Sequence, residues 1–237
     1  MWEIVRQSIP QLLAAGFKYT IPLAIISFII GLILALLSAL TRLSQKGGAF
    51  LILKGIVRFY VWLFRSTPLL VQLFIVFFGL PYLRIKGILP HGVRMHPFTA
   101  GILTFSLNTG AYASETIRAS ISAVPIGQWE AASAIGMTRL QTIWRVILPQ
   151  AFRIALPPLS NSFISLVKDT SLAASITIME MFEVSQQIAA ENYQPLLMYS
   201  LVAVIYALFT SVLSYLQGWL ERYFNHEVNA KKVNSWN

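Results

Sequence analysis

The chain has 237 residues, 56% of them hydrophobic and 11% charged, with a mean hydropathy of +0.65. This excludes an ordinary water-soluble domain, and the length exceeds a single anchor and suffices for about five membrane spans with their loops. The net charge of +9 sits in short loops beside apolar runs and not in one stripe, which points to membrane topology and away from nucleic acid, and the absence of cysteine excludes disulfides and thiolate zinc sites.

The first apolar run, 19–40, has 22 residues without a charge and reaches about 33 Å as a helix, enough to cross the hydrocarbon. It is too long for a signal-peptide core and no small-residue cleavage pattern follows, so it is expected to stay in the mature protein. Run 49–80 is too long for one straight span and carries Lys54, Arg58 and Arg65. It predicts an amphipathic lead-in, a break near Ser66-Thr67-Pro68 and a span ending before Pro81. His91 and His96 follow in a Pro/Gly-bearing loop without helical ligand spacing, and with His226 they make no metal site. Further spans are expected at 97–117, 156–179 and 196–220. The fold class is therefore all-α integral membrane with about five transmembrane helices.

Loop charge orients the spans. Arg42, Lys46, Lys54 and Arg58 lie in 41–58, Arg118, Arg139, Arg145 and Arg153 in 118–153, and Arg222, Lys231 and Lys232 in the tail. Segment 180–195 has three Glu and no Lys or Arg. The positive-inside rule predicts an outside N-terminus and a cytoplasmic C-terminus. Loop 81–96, with Arg84, Lys86 and Arg94, runs against this pattern and is outvoted.

Between the third and fourth spans a polar, small-residue segment interrupts the apolar sequence. Gly127-Gln128-Trp129-Glu130-Ala131-Ala132-Ser133-Ala134-Ile135-Gly136 is followed by Ile147-Leu148-Pro149-Gln150. Ala131, Ala132 and Ala134 predict a short helix with little bulk, suited to another protein's groove, and Gly136 a left-handed terminus. Thr138-Arg-Leu-Gln141 reads as a capping box opening a second short helix, which Pro149 is expected to bend at the membrane. By spacing alone, an interfacial hairpin that only stabilises the fold is the alternative.

Ionisable and amide groups inside spans are costly and usually face a cavity or a partner. Asn161, Ser165 and Lys168 follow i, i+4, i+7 spacing, with Asp169 one step around, and Asn108, Tyr112 and Glu115 repeat the pattern on the third span. Two polar faces can line one pathway. Lys168 suits a carboxylate, with Asp169, Glu115, Asn108 or Ser165 near an ammonium. Structural roles stay open: Lys168 and Asp169 pairing with other spans, Glu115 pairing with Arg118 at i+3, and Arg65 at an interface. Glycines 31, 79, 101 and 110 are positions where helices can approach closely.

The order Glu-Ala-Ala, Gly, Leu-Pro resembles the EAA loop of permease subunits of ATP-binding-cassette importers. With Arg65-Ser-Thr-Pro68-Leu-Leu-Val-Gln72, Tyr112-Ala-Ser-Glu115-Thr-Ile-Arg118 and Lys168-Asp-Thr-Ser-Leu172, the chain is similar over about residues 10–222 to the polar amino acid permease family, importers of histidine, glutamine, arginine, cystine and opines. The resemblance implies one type I permease domain over 1–237, with a cytoplasmic coupling hairpin over about 121–149 and a polar tail at 223–237. It implies a homodimer or a sister permease, two ATPase subunits, an extracellular solute-binding protein and a bacterial plasma-membrane location. Glu130 and Gly136 then belong to the coupling helix that seats in the ATPase, with Ala131 and Ala132 between them. The substrate implied is a polar L-amino acid, and likeness over Ile21-Pro22-Leu23 to Ser44 suggests cystine.

No G-x-x-x-x-G-K-[ST] loop occurs, so ATP and Mg are expected on a partner chain and no cofactor or catalytic residue on this one. A secondary transporter or channel is the alternative, fitted poorly by five spans without a repeat plus a large hairpin. An intramembrane hydrolase using Ser165 and Lys168 at i, i+3 is remote.

Overall fold

A computed structural model describes residues 1–43, 47–48, 50–83 and 92–233, with side chains to 223. Among the described residues there are helices and no strands: α1 (Trp2–Ala15), α2 (Ile21–Leu43), α3 (Phe50–Ser66), α4 (Leu69–Phe74), α5 (Pro97–Ser122), α6 (Ile126–Ala134), α7 (Arg139–Thr142), α8 (Leu148–Asp169), α9 (Met181–Asn192) and α10 (Pro195–Val233).

Proline placement explains most departures from the expected spans. Three π-helical segments, Gly16–Thr20, Ile75–Gly79 and Ile143–Ile147, each end two residues before a proline: Pro22, Pro81 and Pro149. A proline has no N–H to donate and its ring clashes with the carbonyl four residues back; one widened turn relieves both. The helix therefore passes through at Pro22 and Pro149 and reaches one residue past Pro81. The first span is one helix, Trp2–Leu43, longer at its start than the run 19–40. The second continues past Gly79 in a short 3-10 turn, Leu80–Tyr82, and does not end before Pro81. At Pro149 the expected bend is absent, and α7 runs into α8 so that the helix extends over Arg139–Ile176. Pro68 behaves differently. It is extended (φ −65°, ψ 138°) and marks the expected break, where Phe50–Ser66 and Leu69–Tyr82 meet at 112°.

Two further expectations change. Segment 180–195 is mostly α9, because Glu180 caps it: its carboxylate oxygens accept from the N–H groups of Phe182 at 2.8 Å and Glu183 at 2.7 Å. The fourth span is α8 followed by a 3-10 stretch, Thr170–Ile176, bent 51° from α9. The polar tail is helical to Val233. His96 caps α5, its Nδ1 accepting from the Phe98 N–H at 3.3 Å; His91 and the side chain of His226 lie outside the described residues, as do Lys46, Arg84, Lys86 and the side chains of Lys231 and Lys232.

By length and apolar character two helices can cross a membrane, Trp2–Leu43 and Pro195–Tyr223, or four with the two bent pairs. The remaining expected span, α5, has 26 residues, about 39 Å, but carries many small and polar side chains because protein surrounds it. Its tightest neighbour is α2. A Cβ on Gly31 would stand 2.8 Å from the Thr109 side chain, and one on Gly110 would stand 3.0 Å from Leu34 Cβ and 2.7 Å from the Tyr60 hydroxyl. Small residues let the two backbones approach, so dispersion replaces the hydrophobic drive that lipid does not supply. Leu23, Phe105, Leu73, Val167 and Ile176 fill the core where α2, α4, α5 and α8 converge. A second cluster, Leu12, Met181, Met198 and Val202, binds α1, α9 and α10.

Gly31→Ala should destabilise the protein by about 1–3 kcal/mol through overpacking. Gly218→Ala, whose Cβ would meet nothing within 4 Å, should be neutral or stabilising by up to about 1 kcal/mol. Thermal unfolding in detergent compares the two.

Candidate functional site

The break at Pro68 leaves the end of α3 with carbonyls that lipid cannot satisfy. One amide does so. Gln72 is buried, and its Nε2 donates to the carbonyls of Phe64 at 2.9 Å and Thr67 at 3.0 Å and to Thr67 Oγ1 at 2.8 Å. Asn108 on α5 donates to Gln72 Oε1 at 2.9 Å and to the Phe64 carbonyl at 3.4 Å. Tyr112, one turn on, donates its hydroxyl to the Arg65 carbonyl at 3.3 Å, and the Arg65 guanidinium lies over its ring at 5.6 Å. The Arg65–Gln72 motif is thus an elbow, stitched by its own glutamine and fastened to α5.

The elbow walls a cavity of about 480 Å³. Thr67, Pro68 and Leu69 form one side, Asn108, Thr109 and Tyr112 the second, and Asn161, Ser162, Ser165 and Asp169 the third, with Leu172. The two polar faces expected from helical spacing do meet, and Asp169 brings the wall a carboxyl group. Lys168 departs from that arrangement: it is exposed, while half-buried Asp169 stands on the wall. The following motif residues close α8, Thr170 Oγ1 donating to the Val167 carbonyl at 2.7 Å and Ser171 Oγ to that of Lys168 at 2.8 Å. Hydroxyls thereby take the place of helix caps.

Glu115 is bound elsewhere. Its Oε2 receives Arg42 Nη1 from the end of α2 at 2.6 Å, and its Oε1 receives Arg118. The i+3 pairing with Arg118 is present, and Arg42, counted from sequence only as a topology charge, is the partner that spacing could not reveal.

Segment 121–149 spans the end of α5, α6, a tight turn, α7 and the start of α8. Gly136 has φ +74° and closes α6 in a Schellman arrangement, with Gly136 N–H to the Ser133 carbonyl at 3.0 Å and Met137 N–H to that of Ala132 at 3.1 Å. The capping box is formed: the Thr138 N–H donates to Gln141 Oε1 at 2.9 Å and Thr138 Oγ1 accepts from the Gln141 N–H at 3.4 Å. Glu130, Ala131 and Gly136 are exposed, whereas Ala132 is turned inward and buried at 3%. Trp129, with Leu43, Ile117, Val146 and Leu148, packs against a buried cluster of Ile121, Val124, Ile147 and Ala151. Gln150 Nε2 donates to Gln128 Oε1 at 3.1 Å and to the Val146 carbonyl at 2.9 Å, joining the two halves of the motif. Large apolar side chains remain exposed around it: Ile126 at 71%, Ile135 at 78%, Leu140 at 67% and Trp144 at 59%.

Sequence reasoning passed over a fourth polar centre. Glu180, fully buried, also accepts the Tyr206 hydroxyl of α10 at 2.7 Å, and the Met181 N–H donates to Thr20 Oγ1 at 3.4 Å. Glutamate is not among the usual N-cap residues, so the sequence carried no capping signal there.

The described geometry has counterparts among known proteins. A family model described as the binding-protein-dependent transport system inner membrane component matches residues 31–226. The L-cystine transport system permease protein TcyB of Bacillus subtilis (strain 168) is 50% identical over 222 residues, 93% of this chain and 90% of that one. The glutamine transport system permease protein GlnP of Escherichia coli (strain K12) is 36% identical over 221 residues, covering 93% and 96%. A crystal structure of an amino acid ABC transporter with histidines superposes with a TM-score of 0.79 at 31% identity, covering 90% of this chain and 94% of that one.

Replacing Gln72 by Leu would leave the Phe64 and Thr67 carbonyls without their donor, at a cost of about 1–3 kcal/mol. The expected result is a lower unfolding midpoint together with faster tryptic cleavage after Arg65, the residue at the opened elbow.

Proposed function

Because the chain belongs to the family of binding-protein-dependent transport system inner membrane components, we propose that it is the permease subunit of an ATP-driven importer for a polar L-amino acid. L-cystine is the substrate favoured, on the 50% identity to an L-cystine permease protein. The observation that carries the coupling role is α6: a small-residue helix exposing Glu130, Ala131 and Gly136, clamped from beneath by Trp129 and Ala132. A partner needs such a handle, rigid on the inside and low in bulk on the outside.

In this reading the 121–149 end of the bundle is cytoplasmic, in keeping with its arginines, and α9 faces outside. The ATPase dimer grips α6, and the exposed Ile126, Ile135, Leu140 and Trp144 extend the surface available to it. ATP and Mg stay on the ATPase. The solute-binding protein delivers the amino acid from outside, and a second permease copy or sister chain completes the pathway. Alternating access opens the cavity first to one side and then to the other.

The chain's own contribution to substrate is the cavity wall. Asp169 meets the ammonium, with Asn108, Tyr112, Asn161 and Ser165 offering hydrogen bonds to the carboxylate and side chain, and Lys168 lies one step around the helix. About 480 Å³ is within the range of small-molecule pockets, about 300–1,000 Å³. The elbow supports this reading, because the same two α5 residues that pin it, Asn108 and Tyr112, also form the wall.

Tagging this chain in its native cell, purifying in mild detergent and identifying bound proteins should recover a Walker-motif ATPase; none, even after cross-linking at 121–149, would refute the coupling role. Glu130→Lys should keep membrane insertion and lose that ATPase in the same assay. Asp169→Asn should keep the ATPase yet lower uptake of labelled L-cystine by about 10–100-fold, the loss expected from removing one charge-assisted hydrogen bond; uptake at the wild-type rate would remove Asp169 from the pathway.

A further inference from the structure

Glu115 occupies a place in the fold that neither the cavity nor the ATPase-gripping helix accounts for. It lies on α5 three residues beyond Tyr112, which forms the cavity wall, and seven residues before Ser122, where α5 ends and the segment leading to α6 begins. Its two carboxylate oxygens are divided between helices, Arg42 of α2 on one and Arg118 of α5 on the other. The next residue of α2, Leu43, packs in the cluster that holds Trp129 of α6. The end of α2 is therefore attached twice, to α5 by an ion pair and to the cluster beneath the hairpin by an apolar contact.

Stability is a poor reason for this arrangement. The three side chains are between 20% and 37% exposed, and ion pairs so open to solvent contribute little. The α2–α5 pair is already secured further up, where Gly31 meets Thr109 and Gly110 meets Leu34. Small buried residues, Ala35, Ser38 and Ala39, carry the packed face of α2 down to its last turn, 40–43, where the side chains are only half-buried. There α2 would otherwise be free to lag when the hairpin pushes on α5, and the push would be lost in splaying the two helices instead of reaching Tyr112 and the elbow.

We propose that Arg42, Glu115 and Arg118 form a mechanical joint, in which Glu115 is a positioning residue that makes α2 move with α5 whenever the hairpin moves, so that hairpin displacement reaches the cavity wall. The proposal rests on the importer reading above, with Glu115 assigned to transmission and not to the substrate pathway. Arg118 belongs to the same helix as Glu115 and orients its carboxylate; Arg42 supplies the link between helices. The two arginines thus have different roles, and this separates the joint from a simple charge cluster.

The test uses the intact complex, purified through this chain from its own host and reconstituted in liposomes with its solute-binding protein, with labelled L-cystine and L-glutamine as probes. Amino acid taken up per ATP hydrolysed is measured at equal amounts of assembled complex. Glu115→Gln and, separately, Arg42→Gln are expected to lower that ratio about three- to fivefold, the upper end of what an ion pair this open to solvent can transmit. Glu115→Asp should recover part of it, and Arg118→Gln should change it by no more than about twofold, since the α2–α5 link survives. An unchanged ratio in Arg42→Gln overturns the joint. So does a loss of assembled complex with an unchanged ratio in what remains, which reduces the triad to a folding role. If the wild-type complex itself hydrolyses no ATP or takes up neither probe in an ATP-dependent way, the importer or substrate reading has failed, and the joint falls with it.

Discussion

Unsatisfied backbone is the constraint from which the rest of this structure follows. In a membrane a broken helix cannot turn to water, so every interruption has to be repaired by the chain itself. At Pro68 the repair is Gln72, whose amide reaches the carbonyls of Phe64 and Thr67. Once that amide is committed to the elbow, its oxygen is left to accept from Asn108 of α5, so the same side chain that permits a 112° bend also fixes where the bend sits against the neighbouring helix. A concave wall results, lined by the turn at Thr67 and Pro68 and by polar side chains.

The three π-helical turns solve the same problem with the opposite outcome. Ahead of Pro22 and Pro149 a single widened turn absorbs the missing donor and the helix carries on, whereas at Pro81 it runs out in a 3-10 turn at Tyr82. For Pro149 this matters beyond geometry. A bend there would have isolated the 121–149 hairpin from α8, whereas the continuous helix over Arg139–Ile176 runs from the hairpin to the cavity wall at Asn161, Ser165 and Asp169. The Gln128–Gln150 hydrogen bond and the Trp129 cluster tie α6 to that helix and to the ends of α2 and α5.

Polar residues in the spans divide into two kinds once the structure is seen. Gln72, Glu180 and Thr170 are spent on backbone and helix ends. Asn161, Ser165 and Asp169 stand at the cavity, and Asn108 and Tyr112 serve both purposes. Hydropathy cannot separate these kinds, because both appear in sequence as a polar residue in an apolar run. The distinction depends on whether a broken backbone lies within reach.

Composition, run length and charge placement were enough to establish a helical membrane protein, because lipid demands long apolar helices whatever their packing. Local chemistry was equally legible at Ser66-Thr67-Pro68, at Gly136 and at Thr138–Gln141, where the break, the left-handed terminus and the capping box each depend on residues a few positions apart. Helical spacing also put Asn108 with Tyr112 and Asn161 with Ser165 on common faces, since the period of the helix is local. Tertiary structure alone decided that Glu115 joins Arg42 across 73 positions of sequence, that Ala132 turns inward, that Asp169 and not Lys168 stands on the wall, and that Glu180 receives Tyr206. Each of these depends on which helix lies beside which, and helix adjacency in lipid is set by close packing of small residues and by long-range polar partners that no single segment contains.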